Sequence, residues 1–144
     1  MKFLKTGCFA FMVFCIAPYT AKTQNPVNWT PEQLMQPAAL AKTITNHKNV
    51  PLIFCVGPGA VIPGSINTGP AHEDAGLAAL KKALDTLPKN TAIVIYCGCC
   101  PFEHCPNVRP AIAALKDAGF TNYKLLNLEH NIKADWIDKG YPKM

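Results

Sequence analysis

Nine residues about two thirds of the way along the chain concentrate its reactive groups: Cys97-Gly98-Cys99-Cys100-Pro101-Phe102-Glu103-His104-Cys105. Four of the seven cysteines fall in this run, and Pro106 closes it. A thiolate is a nucleophile, a soft metal ligand and half of a disulfide, so three chemistries are open. As a nucleophile, one cysteine would work by two-step covalent catalysis. As ligands, Cys97, Cys99, Cys100, Cys105 and His104 suit Cu(I) or Zn(II). The C-x-C-C-x4-C spacing lacks the C-x-x-C knuckles of structural zinc sites, and adjacent Cys99 and Cys100 are not expected to aim both sulfurs at one ion. As a disulfide, Cys97 would pair with Cys99, Cys100 or Cys105, either in redox exchange or as a loop staple stabilising by about 2–3 kcal/mol. Glu103 and His104 are candidates for acid–base help, with a solvated loop tip as the plainer reading.

The compartment bears on this choice. Lys2 and Lys5 precede an apolar stretch from Gly7 to Ala17, followed by small and polar residues. That is the form of a secretory signal peptide, expected to be residues 1–23, with cleavage near Ala21 to Gln24. The apolar stretch is short for a membrane span, so no stable membrane insertion is expected after cleavage. Export to the periplasm or the exterior is the corresponding expectation. Loss of the segment removes three lysines and lowers the formal charge from +5 to about +2, which gives no reason to expect nucleic acid as a partner. Cys55, Cys97, Cys99, Cys100 and Cys105 remain, an odd number that fits a reactive thiol better than a pure disulfide scaffold.

Residues 24–144 read as one domain. Thr30, Pro31 and Gln33 give a helix start with a capping box. Pro37 is expected to interrupt, leaving a second short helix from Ala38 to about Thr45. The runs 51–57 and 91–97 (PLIFCVG and TAIVIYC) read as buried strands, with a short strand at 65–67 and another at 122–128. Leu77, Leu80, Leu84 and Leu87 form one stripe of a helix over 76–87. Further helices are expected from Pro110 to Ala118, closed by Gly119, and from Asn131 to Lys139. Alternating helices and apolar strands predict a small three-layer α/β domain with a mostly parallel central sheet. In such sheets ligands bind beyond the carboxyl ends of the strands, which is where the cysteine run begins. A cysteine there, facing the next helix's amino end, would have its pKa lowered. The free N–H groups would cradle an anion. Arg109, the only arginine, stands at that helix start, where a planar cation can anchor an oxyanion.

The same residues carry a family resemblance. Tyr96-Cys97 ends an apolar strand; Arg109-Pro110-Ala111-Ile112-Ala113-Ala114-Leu115 leads into a helix; Gly119-Phe120, Trp136 and Gly140-Tyr141-Pro142 follow in order. Upstream stands Ile62-Pro63-Gly64-Ser65-Ile66-Asn67. Over residues 29–144 the chain resembles a rhodanese-like domain. The resemblance implies a sulfurtransferase in which Cys97 carries sulfane sulfur as a persulfide. Arg109 would be its electrostatic anchor, and Gly98, Cys99, Cys100, Phe102, Glu103, His104 and Cys105 the substrate-binding loop. A small sulfur donor such as thiosulfate and a thiol acceptor are the implied partners, with no cofactor required; the metal-binding alternative would take Cu(I) or Zn. The chain departs from the family in a longer, proline-stiffened loop and in Cys55-Val56-Gly57 where the family has Asp-Val-Arg. Cys55 is expected beside the loop, as a fifth sulfur and a redox partner. Phosphatase or arsenate chemistry needs a more compact amide cradle than this loop offers. His47 reads as solvated, His72 as helix-entry decoration before Glu73-Asp74, and His130 as a capping residue. Trp29 and Trp136 read as packing residues.

Overall fold

A computed structural model describes residues 29–144; the expected signal segment lies outside the described residues. Five strands form a single, wholly parallel sheet in the order β1-β5-β4-β2-β3. They are β1 (Leu34–Met35), β2 (Leu52–Cys55), β3 (Ile66–Asn67), β4 (Ile93–Tyr96) and β5 (Tyr123–Leu126). The central strand, β4, is buried along its whole length, which is why its sequence runs apolar without alternation. Its register pairs Leu52 with Ile93 and Cys55 with Tyr96 on one side, and Ile93 with Tyr123 on the other.

Three α-helices cover the sheet: α1 (Pro37–Thr45), α2 (Asp74–Leu84) and α3 (Val108–Asp117). The pleat sends alternate residues to opposite faces. Phe54, Ile93, Ile95, Cys97 and Leu125 pack with Leu80 and Leu84 of α2 and with Val108, Ala111 and Leu115 of α3. Ile53, Cys55, Val94, Tyr96 and Leu126 pack with Leu40, Ala41 and Ile44 of α1 and with Trp136. This is the expected three-layer α/β arrangement. Among the described residues no helix is long and apolar enough to cross a membrane.

The differences from the sequence reading are local. Pro37 opens α1 instead of separating two helices: its missing N–H is one the first turn would leave unpaired anyway. The segment before it is a single 3-10 turn, Pro31–Gln33, in which Gln33 Oε1 accepts the Thr30 N–H at 2.8 Å. Leu34–Met35 then forms an edge strand too short for any periodicity to announce. The last helix is a π-helical turn, Lys133–Ile137, with Asp138 N–H donating to the Lys133 carbonyl at 2.8 Å. Helix α3 begins two residues before Pro110, which changes what faces the cysteine run.

Candidate thiol site

Cys97 follows the last residue of β4 and, by strand parity, turns to the α2/α3 face. Gly57, past the end of β2, lies against it. A β-carbon at Gly57 would lie 2.8 Å from Cys97 Sγ, so only glycine leaves room for the sulfur. Gly98 has a similar constraint from outside: a β-carbon there would lie 2.9 Å from the Ile132 side chain. Its carbonyl accepts the Ile132 N–H at 3.0 Å.

Beyond Gly98 the chain bends back so that four sulfurs converge. The Sγ atoms of Cys97, Cys99, Cys100 and Cys105 all lie within 4.8 Å of one another. Cys97–Cys99 and Cys99–Cys100 are each 3.3 Å apart. The expectation that Cys99 and Cys100 would diverge is therefore overturned, because the tight bend at 98–100 replaces the extended geometry that separates neighbouring side chains. Cys97 and Cys105 are buried, Cys100 is half-buried and Cys99 is exposed. The run then forms a 3-10 turn, Phe102–His104, pinned by the Phe102 N–H on the Leu128 carbonyl at 3.1 Å.

Several expected site residues lie elsewhere. Phe102 points into the α2/α3-face core, so it anchors the loop instead of lining its surface. His104 is exposed on the turn and does not join the sulfurs; the converging group is all cysteine. Glu103 is exposed too, and its carbonyl accepts from Arg109 Nη2 at 3.3 Å. Arg109 thus braces the outer turn of the loop. Cys55 does end β2 beside β4, but parity sends it to the α1 face, where its thiol donates to the Gly59 carbonyl at 3.2 Å. It is outside the four-sulfur group, and burial pushes its thiol pKa up. His130 is held by Asp135, whose carboxylate also accepts the His130 and Asn131 N–H groups. A cleft of about 320 Å³ lies on the loop's outer side, lined by Leu34, Pro101, Phe102, Glu103, Asn127 and Glu129.

Two residues complete the site from outside the cysteine run. Asn107 precedes α3 at the N-cap position, yet its side chain does not cap the helix. It is buried at 3 % exposure, and Nδ2 donates to Cys97 Sγ at 3.3 Å. Its Oδ1 accepts the His72 backbone N–H at 3.0 Å and meets His72 Nδ1 at 2.7 Å. The backbone N–H can only donate, so the carboxamide orientation is fixed, and with it the Nδ1–H tautomer of His72. His72 Nε2 faces Glu73 Oε1 at 3.8 Å. The residues between α3 and the sulfur therefore present a side-chain N–H where a row of helix amides was expected, because the N-cap residue fills that gap.

The donors around Cys97 set its charge. Its pKa is lowered to about 5, first by the Cys105 thiol and then, against the opposing effect of burial, by the Cys99 N–H, the Asn107 carboxamide and the Cys99 thiol. Cys99 is pushed up to about 12, chiefly by burial and by its sulfur neighbours. Cys105 is pushed up as well, first by the adjacent Cys97. The donors around it favour the thiolate form of Cys97, while burial and the neighbouring sulfurs favour the protonated forms of Cys99 and Cys105.

No protein-family model matches this chain, and no curated protein does. Its fold is similar to the crystal structure of the Alr3790 protein from Anabaena sp., with a TM-score of 0.55 and 18% sequence identity, over 76% of this chain and 90% of that one. At that identity the likeness is one of fold.

Proposed function

We propose that this protein is a sulfurtransferase that carries sulfane sulfur on Cys97. The observation that carries the reading is the buried Asn107 carboxamide donating to the sulfur of Cys97. A buried N–H aimed at sulfur is best matched by an anion, and the anion is the nucleophilic form. The position of Cys97 past the carboxyl end of the central parallel strand supports the same reading, as does the ordered set of rhodanese-like motifs around it. The Cys97 thiolate attacks the outer sulfur of thiosulfate. An S–S bond forms, the bond to the sulfonate sulfur breaks, and sulfite leaves with that bonding pair. Cys97 is left as a persulfide anion, facing the Asn107 and Cys99 N–H groups. Cys97 is itself buried, at 3 % exposure, and its neighbour Cys99 is exposed, so a small donor would approach from the Cys99 side.

The test is sulfite release. Reduced, metal-free protein mixed with thiosulfate should release about one sulfite per chain in a single turnover, and the Cys97→Ser variant should release none. Absence of sulfite from the unmodified protein would overturn the reading.

A second reading rests on the four converging sulfurs, which fit Cu(I) or Zn(II) as an all-thiolate set. Tetrahedral zinc with Zn–S bonds of about 2.3 Å needs sulfurs roughly 3.8 Å apart, a small adjustment of the present spacing. Bound metal would close the loop and leave Cys97 without its nucleophilic role. Anaerobic purification followed by metal analysis separates the two readings: near-stoichiometric metal that is lost in a Cys99→Ser/Cys105→Ser variant favours the metal site.

A further inference from the structure

We infer that the sulfane sulfur is relayed from Cys97 to Cys99 within the same chain, and that the Cys99 persulfide is the form that meets an acceptor thiol carried by another protein. This rests on the sulfurtransferase reading of Cys97. It assigns the route by which the sulfur leaves and the class of acceptor that takes it.

Three sides of the Cys97 sulfur are filled. Gly57 closes one, since even a β-carbon there would stand 2.8 Å from Sγ. Cys105 is buried and belongs to the core shared by α2 and α3. Asn107 is buried as well, and its oxygen is tied to His72. Cys99 stands on the remaining side: it is exposed, and its Sγ is 3.3 Å from Cys97 Sγ. An outer sulfur added to Cys97 therefore projects towards Cys99. The Cys99 sulfur then meets the outer sulfur from the side opposite Cys97, which is the in-line direction for displacing Cys97 from it. The inner sulfur is shielded by the outer one and by its three buried neighbours, so the outer sulfur is the one that Cys99 can attack.

The relay asks for one local adjustment. Three sulfurs in line, with S–S separations of about 2 Å or more, span at least roughly 4 Å. The Cys99 sulfur therefore withdraws from its 3.3 Å position when the outer sulfur arrives. A turn about χ1 takes it outward, because this side chain is exposed, and leaves the backbone of the loop in place.

The step moves one sulfur and needs neither oxidant nor reductant. The Cys99 proton passes to the outer sulfur of the Cys97 persulfide anion. The Cys99 thiolate attacks that sulfur, a new S–S bond forms, and the bond to Cys97 breaks. Cys97 keeps the bonding pair and is a thiolate again, facing the Asn107 N–H that favours its charge. One persulfide anion and one thiol have become one thiolate and one persulfide. The sulfur now stands on an exposed residue, whereas Cys97 is 3 % exposed. A small acceptor needs no such transfer. A thiol held on a folded surface does: it attacks the outer sulfur on Cys99, leaves as a persulfide, and returns Cys99 to a thiol.

The experiment treats the reduced, metal-free full chain with one equivalent of thiosulfate and no acceptor, then alkylates it and maps the added sulfur by fragmentation in a mass spectrometer. About one sulfite per chain is expected, with the added sulfur, roughly 32 Da, mainly on Cys99. Cys97→Ser should release no sulfite and leave Cys99 unmodified. Reduced serum albumin then serves as the protein thiol and cyanide as the small acceptor. In Cys99→Ser, sulfite release and thiocyanate formation should persist, while transfer to albumin should fall about tenfold or more. A sulfur that stays on Cys97 in the unmodified protein would overturn the relay while leaving the sulfurtransferase reading intact. So would a persulfide on Cys100 or Cys105, sulfur on Cys99 in Cys97→Ser, or transfer to albumin that Cys99→Ser leaves unchanged. Absence of transfer to albumin from the unmodified protein would overturn the acceptor class. If the unmodified protein releases no sulfite, both readings fall together.

Discussion

Asn107 and Cys97 are joined by a 3.3 Å hydrogen bond from carboxamide to sulfur, and the other end of that carboxamide holds both the backbone and the ring of His72. Among the described residues Asn107 is the one buried polar residue, thiols and aromatic residues aside. Its cost of burial is offset by four polar partners, three on Asn107 oxygen and nitrogen from outside the helix and one along the α3 backbone, where its carbonyl accepts the Ala111 N–H.

Two substitutions at Asn107 should separate support of the fold from support of the thiolate. Asn107→Ala removes the acceptor for His72 and the donor to Cys97. It should destabilise the protein by about 1–3 kcal/mol and raise the Cys97 pKa. Asn107→Asp keeps the acceptor for His72 but places a carboxylate beside the sulfur. Its stability loss should be smaller and its rise in Cys97 pKa larger. Thermal melts and thiolate absorbance titrations measure the two effects. Equal pKa values in the two variants and the parent would refute the electrostatic role.

The lowered pKa of Cys97 fixes the sign of its pH dependence. A thiol lowered to about 5 stays anionic until the pH drops through that value. Alkylation of Cys97 should therefore be flat across neutral pH and fall about tenfold per pH unit below 5, where an unperturbed thiol would already be falling below pH 8.5. The profile, read by mass mapping of each cysteine, is independent of the slow absolute rate that burial imposes. A midpoint near 8 would contradict the thiolate assignment.

Gly57→Ala tests the packing against the Cys97 sulfur. The added β-carbon, 2.8 Å from Cys97 Sγ, must displace the sulfur or the backbone of the loop. A cost of about 1–3 kcal/mol is expected from overpacking, with a large fall in single-turnover sulfite release. Unchanged kinetics would show that the sulfur has room the structure does not provide.

Cys55 should behave as a core thiol. Cys55→Ala should lower stability by about 1–3 kcal/mol through lost packing and a lost hydrogen bond to the Gly59 carbonyl. It should leave the Cys97 pH profile and the sulfite yield unchanged. A loss of sulfite yield in a folded Cys55→Ala protein would bring Cys55 back into the chemistry.

The strands and helices were legible because their signals are additive along the chain. The run Ile93-Val94-Ile95-Tyr96 can only be a doubly buried strand, and the leucine stripe of α2 can only face a core. Cys97 was legible for the same reason, since it ends the strongest strand. What the sequence did not disclose depends on face and on distance. Cys55 is one residue out of phase with Cys97 across the sheet, and parity at a strand end is lost if the strand boundary is uncertain by one. His72 and Asn107 are 35 residues apart, and each looks like an ordinary residue at a helix entry. Only the burial of Asn107 sets it apart, and burial is a property of the assembled layers. The convergence of Cys99 with Cys100 depends on a bend that no propensity names.

The cysteine run is fastened at two points, by the Gly98 carbonyl to Ile132 and by the Phe102 N–H to Leu128. Between these pins only Cys99, Cys100 and Pro101 can swing without breaking a backbone hydrogen bond to the segment after β5. The part of the run without such a pin is thus a tip of two thiols and a stiff proline, next to Cys97. The geometry of the two thiols therefore depends on residues that carry no sulfur: a change at Leu128 or Ile132 that shifts either pin would re-aim the tip.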